Sequence, residues 1–161
     1  LADDGLSLKV IAPSAWPVTE TIPTRGSRPE VLRTAVTRQV MAAGPVVFGG
    51  SIGDLDESLR EIVGNREVAE LALDERRAPG APVGDDSSVW SRAFATKGLL
   101  VSLRNDGPVS AERTVAIELL NLVGEDSVPA RDVWTGQRLM ADGGLLSVRL
   151  ASGDTALLRI G

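Results

Sequence analysis

Two periods of apolar spacing divide the chain. In the first half the spacing is helical: Leu32, Ala35, Val36, Gln39, Val40 and Ala43 fall at i, i+3, i+4, i+7, i+8 and i+11, which is one face of an amphipathic helix. Ser27-Arg28-Pro29-Glu30 ahead of it has the form of a capping box with proline in the first turn, where a missing N–H costs nothing. Gly44-Pro45 is the expected stop. Val46-Val47-Phe48 is then a short continuous apolar run, the pattern of a parallel strand covered on both sides, and the Gly49-Gly50-Ser51-Ile52-Gly53 loop closes it. Asp54 and Glu57 form a second cap before Leu55, Leu59, Ile62 and Val63. Gly64 ends that helix, and Asn65 caps a third with Val68, Leu71 and Ala72 on one side. Upstream, residues 6–11 alternate well enough for a short strand, followed by a loop that Pro13, Pro17 and Pro23 shape and that carries Trp16. Strand, helix, strand, helix, helix predicts an α/β arrangement with parallel strands.

Beyond the proline- and glycine-rich stretch at residues 78–84 the period becomes two. Leu99/Val101/Leu103, Val115/Ile117/Leu119, Leu146/Val148/Leu150 and Ala156/Leu158/Ile160 alternate, and turn signals at Asn105-Asp106-Gly107-Pro108, Gly124-Glu125-Asp126 and Asp142-Gly143-Gly144 separate them. Residues 89–94 and 130–134 also fit strands, which makes about seven, enough for a small antiparallel β-sandwich. Trp90 and Trp134 read as its core, and Thr135-Gly136 as a hairpin turn with Gly136 at positive φ. The expected domains are therefore residues 1–78, a linker at 79–85, and a sandwich at 86–161. The sandwich supplies its own alternating faces and is expected to fold alone.

Composition narrows the chemistry. With 161 residues and 16.9 kDa the chain has room for one ordinary domain or two small ones. There is no cysteine and no histidine, which excludes disulfides, Cys/His zinc sites and every triad with an imidazole base. Acid–base chemistry would have to come from carboxylates. The pairs at hand are Asp3/Asp4, Asp54/Asp56 and Asp85/Asp86; adjacent residues on a strand point to opposite faces, and Asp54 and Asp85-Asp86 sit where caps and linkers are expected. They read as solvated or capping groups. The formal charge is −5 and neither half is basic, so no nucleic-acid partner is expected. The longest apolar run, residues 40–52, is short of the roughly 20 residues a membrane span needs, so a soluble chain and no membrane partner are expected. The chain starts at Leu1 rather than Met, and its natural N-terminus is expected upstream. Compartment is not legible, an extracellular one being slightly favoured over the cytoplasm.

Particular residues carry a family likeness. Met41-Ala42-Ala43-Gly44-Pro45-Val46-Val47-Phe48-Gly49, then Leu59-Arg60-Glu61-Ile62-Val63-Gly64-Asn65-Arg66-Glu67-Val68 and Asp74, resembles the last strand and helix of the catalytic barrel in α-galactosidase-type (melibiase-like) glycoside hydrolases. Val89-Trp90-Ser91-Arg92, Arg131-Asp132-Val133-Trp134-Thr135-Gly136 and the closing Ala156-Leu157-Leu158-Arg159-Ile160 resemble their C-terminal β-sandwich, colinear over residues 29–161. Ser51 stands where those enzymes usually have an aspartate.

The fold this resemblance implies is an α/β barrel remnant, the last two strand–helix units of a TIM-type barrel, followed by an all-β antiparallel sandwich. A whole barrel takes about 250 residues, so the chain is expected to be the C-terminal part of a glycoside hydrolase. The catalytic aspartates of such enzymes lie on earlier strands, so the expectation is no catalytic residue within these residues, no metal and no cofactor, and no activity from the 161-residue chain alone. The sandwich is expected to stabilise the parent barrel. The implied partners are a carbohydrate substrate held by that barrel and the missing N-terminal barrel portion or another chain. Barrels place substrates at the C-terminal rim of their strands, which makes Gly49, Gly50 and Ser51 candidates for letting a sugar ring approach the backbone, and Trp16 a candidate stacking platform. A structural turn and a hydrophobic plug are the plainer readings of the same residues. The other reading is a carbohydrate-binding or purely structural sandwich without activity; at 3% aromatic residues and with no tyrosine, the chain offers little for stacking sugars.

Overall fold

The computed structural model describes residues 21–51, 53, 55–74, 76, 78–94, 98–122 and 127–161. The first half contains β1 (Ile22–Pro23), α1 (Pro29–Met41), β2 (Phe48–Gly49), α2 (Glu57–Val63) and α3 (Arg66–Ala72). The second contains β3 (Ala81–Val83), β4 (Asp86–Phe94), β5 (Gly98–Arg104), β6 (Ala111–Ala116), β7 (Pro129–Asp132), β8 (Arg138–Met140), β9 (Leu145–Leu150) and β10 (Thr155–Ile160), with a 3₁₀ helix at Ile117–Leu120. β1 and β2 are parallel and joined through α1, a βαβ unit. The remaining strands are antiparallel: a six-stranded sheet in the order β3-β4-β5-β10-β7-β8, faced by the two-stranded β6-β9 sheet.

The six-stranded sheet is buried on both sides. One face, with Val101, Leu103, Ala156, Leu158 and Ile160, closes against Val115, Leu146, Val148 and Leu150 of the small sheet. The opposite face presents Phe94, Leu100 and Leu157 to Leu32, Val36 and Val40 of α1, Leu59 and Ile62 of α2, and Val68 and Leu71 of α3. Successive residues of a strand point to opposite faces, so neighbours Leu157 and Leu158, both fully buried, belong to different cores. The stripe Val68, Leu71, Ala72 expected on the third helix is part of this second core.

Several expectations are corrected. Ala81–Val83, inside the stretch read as a linker, form an edge strand on β4; Pro82 is tolerated because an edge strand needs only one row of ladder bonds. Residues 117–120 are a 3₁₀ turn rather than the end of a strand, and Leu119 points to solvent. Trp90 and Trp134 are half-buried on the helix-facing side, not in the core between the sheets, and Trp134 lies in the turn after β7. The capping box does not form: Ser27 Oγ donates instead to Pro23 O at 2.6 Å, and Arg28 is the N-cap residue without a side-chain bond. α1 stops at Met41, short of Gly44-Pro45, in a Schellman motif whose left-handed residue is Ala43 (φ 55°), with Gly44 N donating to Gln39 O and Ala43 N to Val40 O. The parallel sheet contains only β1 and β2 among the described residues, which is not a closed barrel. The strand at residues 6–11 and the turn at 124–126 lie outside the described residues. Asn65 caps α3 as expected, accepting from Val68 N at 3.1 Å, and Gly136 has φ 71°.

Candidate functional site

The loop after β2 leaves the C-terminal end of the parallel pair. Its glycines answer to a close approach: a Cβ on Gly49 would meet Thr21 Cγ2 at 2.6 Å, and one on Gly50, at φ +132°, would meet Thr24 Oγ1 at 2.6 Å. Thr24, buried, fixes the strand end by donating both its backbone N–H (3.1 Å) and its hydroxyl (3.0 Å) to Gly49 O. Gly50 and Ser51 are exposed beyond it, and Arg60 Nη2 donates to Gly53 O at 3.3 Å across the loop. Gly49, Gly50 and Ser51 are thus brought together at one strand end; Trp16, Asp3, Asp4 and Asp54 lie outside the described residues. What this loop offers is exposed backbone and one hydroxyl.

Three other carboxylates hold local structure. Asp56 is the N-cap of α2, accepting from Leu59 N at 2.9 Å and Ser58 Oγ at 2.7 Å, which holds its carboxyl below the usual aspartate range. Asp86 accepts from the hydroxyl and backbone N–H of Ser88 and pairs with Arg113, which likewise lowers its pKa. Asp132 ties the turn after β7: Oδ1 accepts from Trp134 N and Leu157 N, Oδ2 from Thr135 Oγ1. Among the described residues no group of three carboxylates could hold a metal ion, and no helix is long and apolar enough to cross a membrane.

The densest polar arrangement joins the two halves. Arg92, on the helix-facing side of β4, has a fully buried side chain. Its Nη1 donates to Val40 O (2.6 Å) and Leu71 O (3.2 Å), its Nε to Ala78 O (3.0 Å) and its Nη2 to Asp74 Oδ2 (3.1 Å). Burial lowers the arginine's pKa, and Asp74 opposes that. Val40 and Leu71 belong to the last turns of α1 and α3, where carbonyls lack the regular i+4 partner and carry partial negative charge; one guanidinium adds a donor at both ends, beside Ala43 N on Val40 O and Asp74 N on Leu71 O. Around it Arg33 pairs with Asp154 in two parallel bonds (3.0 and 2.7 Å), Glu67 takes Arg131 and Arg159, Trp134 Nε1 donates to Thr37 Oγ1, and Asn65 Nδ2 to Val133 O. Sequence reasoning missed Arg92 and Thr24. The available signal was a lone arginine in the otherwise apolar or small stretch from Val89 to Phe94.

Residues 84–160 match the family model for the alpha galactosidase C-terminal beta sandwich domain. Within those residues, a little under half of the chain, the sequence is similar to that domain family. Solved structures share the fold: alpha-galactosidase I from Mortierella vinacea (TM-score 0.74, 20% identity), a GH27 β-L-arabinopyranosidase from Geobacillus stearothermophilus (0.71, 21%) and an α-galactosidase from Saccharomyces cerevisiae with raffinose (0.71, 15%). They cover 86%, 83% and 86% of this chain, and the chain spans 38%, 30% and 45% of theirs. Such coverage exceeds the matched domain, so the common fold includes helices of the first half. No curated protein matches the chain by sequence. The sandwich thus bears out the likeness to the C-terminal portion of an α-galactosidase-like protein.

Proposed function

We propose that the chain is the C-terminal part of a glycoside hydrolase, in which residues 1–78 complete a catalytic (β/α)8 barrel, Gly49, Gly50 and Ser51 form part of its sugar-facing rim with Trp16 as a stacking surface, and the sandwich stabilises the barrel rather than binding sugar. The single observation that supports this most is the buried junction. A freely tethered binding module needs no guanidinium locked onto two helix ends, whereas a stabilising domain needs such a fixed seat. The parallel β1-β2 pair with glycines held tight at its C-terminal end is where barrels receive substrate. The similar solved structures are glycosidases, of α-galactosidase and β-L-arabinopyranosidase type. Catalysis in this reading belongs to aspartates upstream of Leu1; within the chain Asp56 and Asp86 cap local turns, Asp132 ties the turn after β7, and Glu67, Asp74 and Asp154 pair with arginine.

The test uses the 161-residue chain. It should hydrolyse no chromogenic aryl α- or β-glycoside, because a retaining pair must stand about 5–5.5 Å apart with one member protonated. Galactose titrated to high millimolar concentration should shift the amide resonances of Gly49, Gly50 and Ser51 and leave the β6-β9 sheet unmoved. Turnover abolished by replacing a carboxylate of this chain would overturn the reading; shifts confined to the outer face of β6-β9 would favour a carbohydrate-binding module.

A further inference from the structure

We propose that Arg92 is a positioning residue for the loop after β2: the sandwich, through this side chain, sets where α1 ends and hence where Gly49, Gly50 and Ser51 stand against β1. For its functional consequence the proposal rests on reading that loop as a sugar-facing rim; the geometric coupling stands apart from it.

The chain of contacts is short. The end of α1 is held by two donors from beyond residue 79: Arg92 Nη1 on Val40 O at 2.6 Å and Gly80 N on Met41 O at 2.7 Å. From Met41 the chain turns at once through Ala43 and Gly44 and reaches β2 at Phe48. β2 then carries β1, with Ile22 N on Val47 O (2.8 Å) and Thr24 N on Gly49 O (3.1 Å). A strand pair two residues long has little register strength of its own, so its placement depends on the helix feeding it. Arg92 is suited to fix that helix because its planar fork meets four acceptors from three segments and its side chain is fully buried among them. Lysine keeps the charge but has one short-reaching ammonium and cannot span the same acceptors.

Amide hydrogen exchange on the full chain separates positioning from general support. In Arg92→Lys the amides of Ile22, Thr24 and Gly44 should exchange at least about tenfold faster relative to the change at the β5-β10 ladder, because local opening is read apart from global unfolding. Equal acceleration everywhere, or none at Ile22 and Thr24, would overturn the proposal. If Arg92→Lys does not fold, Asp74→Asn keeps the guanidinium on its three carbonyls and removes only its anionic partner; the same selective acceleration, smaller, is expected, and a uniform or absent change overturns it. Galactose that leaves Gly49, Gly50 and Ser51 unshifted in the wild type would remove the sugar-rim reading while selective exchange still upheld the coupling.

Discussion

The two faces of the six-stranded sheet bury similar side chains under different cover. Leu158 and Val101 lie in the apolar cluster shared with the small β6-β9 sheet, while Leu157 and Leu100, equally buried, lie in the one shared with three helices, with Arg92, Asp132 and two partly buried tryptophans on that side. An apolar face tolerates sliding, because dispersion and hydrophobic burial are non-directional. The helix-facing side adds hydrogen bonds with fixed geometry between the helices and the sheet: Arg92 on Val40 O and Leu71 O, Arg33 on Asp154, Glu67 with Arg131 and Arg159. The difference assigns one face to holding the sandwich together and the other to placing something upon it.

Removing the cover is the harshest way to break that comparison. Residues 81–161 expressed alone would expose Phe94, Leu100, Val133 and Leu157, each worth roughly 1.5–3 kcal/mol of burial, and leave Arg92 without its acceptors. That sum rivals the whole stability of an ordinary domain, about 5–15 kcal/mol. The self-sufficient sandwich expected from alternation alone should therefore associate or unfold, seen as a shifted elution volume and dye binding. A monomeric piece unfolding near the intact chain's midpoint would show the helix side to be dispensable.

A gentler probe compares neighbours. Leu157→Ala and Leu158→Ala each delete a fully buried side chain and should each cost about 2–5 kcal/mol in urea unfolding of the intact chain. A cost below about 1 kcal/mol for Leu157→Ala alone would mean that the helices lie loosely on the sheet.

How much of this was legible follows from the same asymmetry. Leu99/Val101/Leu103 and Ala156/Leu158/Ile160 announce the inter-sheet face because one face of a sheet buries every second residue. The second face is hidden in the same strands: Leu100 and Leu157 fall at polar-phase positions, beside Ser102 and Arg159, so the run reads as a thick alternation rather than a doubly covered strand. Asn65 was legible as a cap since its side chain acts locally; Ser27 was not, because Pro23 O, brought close by the turn after β1, offered its hydroxyl a better partner. At the candidate rim, the glycine cluster was visible and its cause was not, for the contacts of Gly49 and Gly50 are with Thr21 and Thr24, some 25 residues away. Arg92 stood out only as a lone arginine in an apolar or small stretch, and nothing near it in sequence reveals that two helix ends converge there.

The smallest effect sharpens the comparison from its charged groups. Asp86 opens β4 on the sandwich side, and its carboxyl is held low by the Ser88 hydroxyl, then the Ser88 N–H, with Arg113 adding a weaker attraction. A folded pKa below the unfolded value, about 3.9, means that the charged form is favoured by folding. The stabilisation is then fully present above that unfolded value and lost as pH falls through the lower folded one. Its side chain is half exposed, so solvent screening keeps the contribution under about 1 kcal/mol. Asp86→Asn should accordingly lower stability slightly at pH 7, with the gap to wild type shrinking below about pH 4 as both proteins come to carry an uncharged group there. The junction's salt bridges share no residue with this site, so Arg92→Met and Asp86→Asn should add independently. A gap that stays constant down to pH 2.5 would show that the Ser88 bonds hold Asp86 equally well protonated, and that its charge plays no part in starting β4.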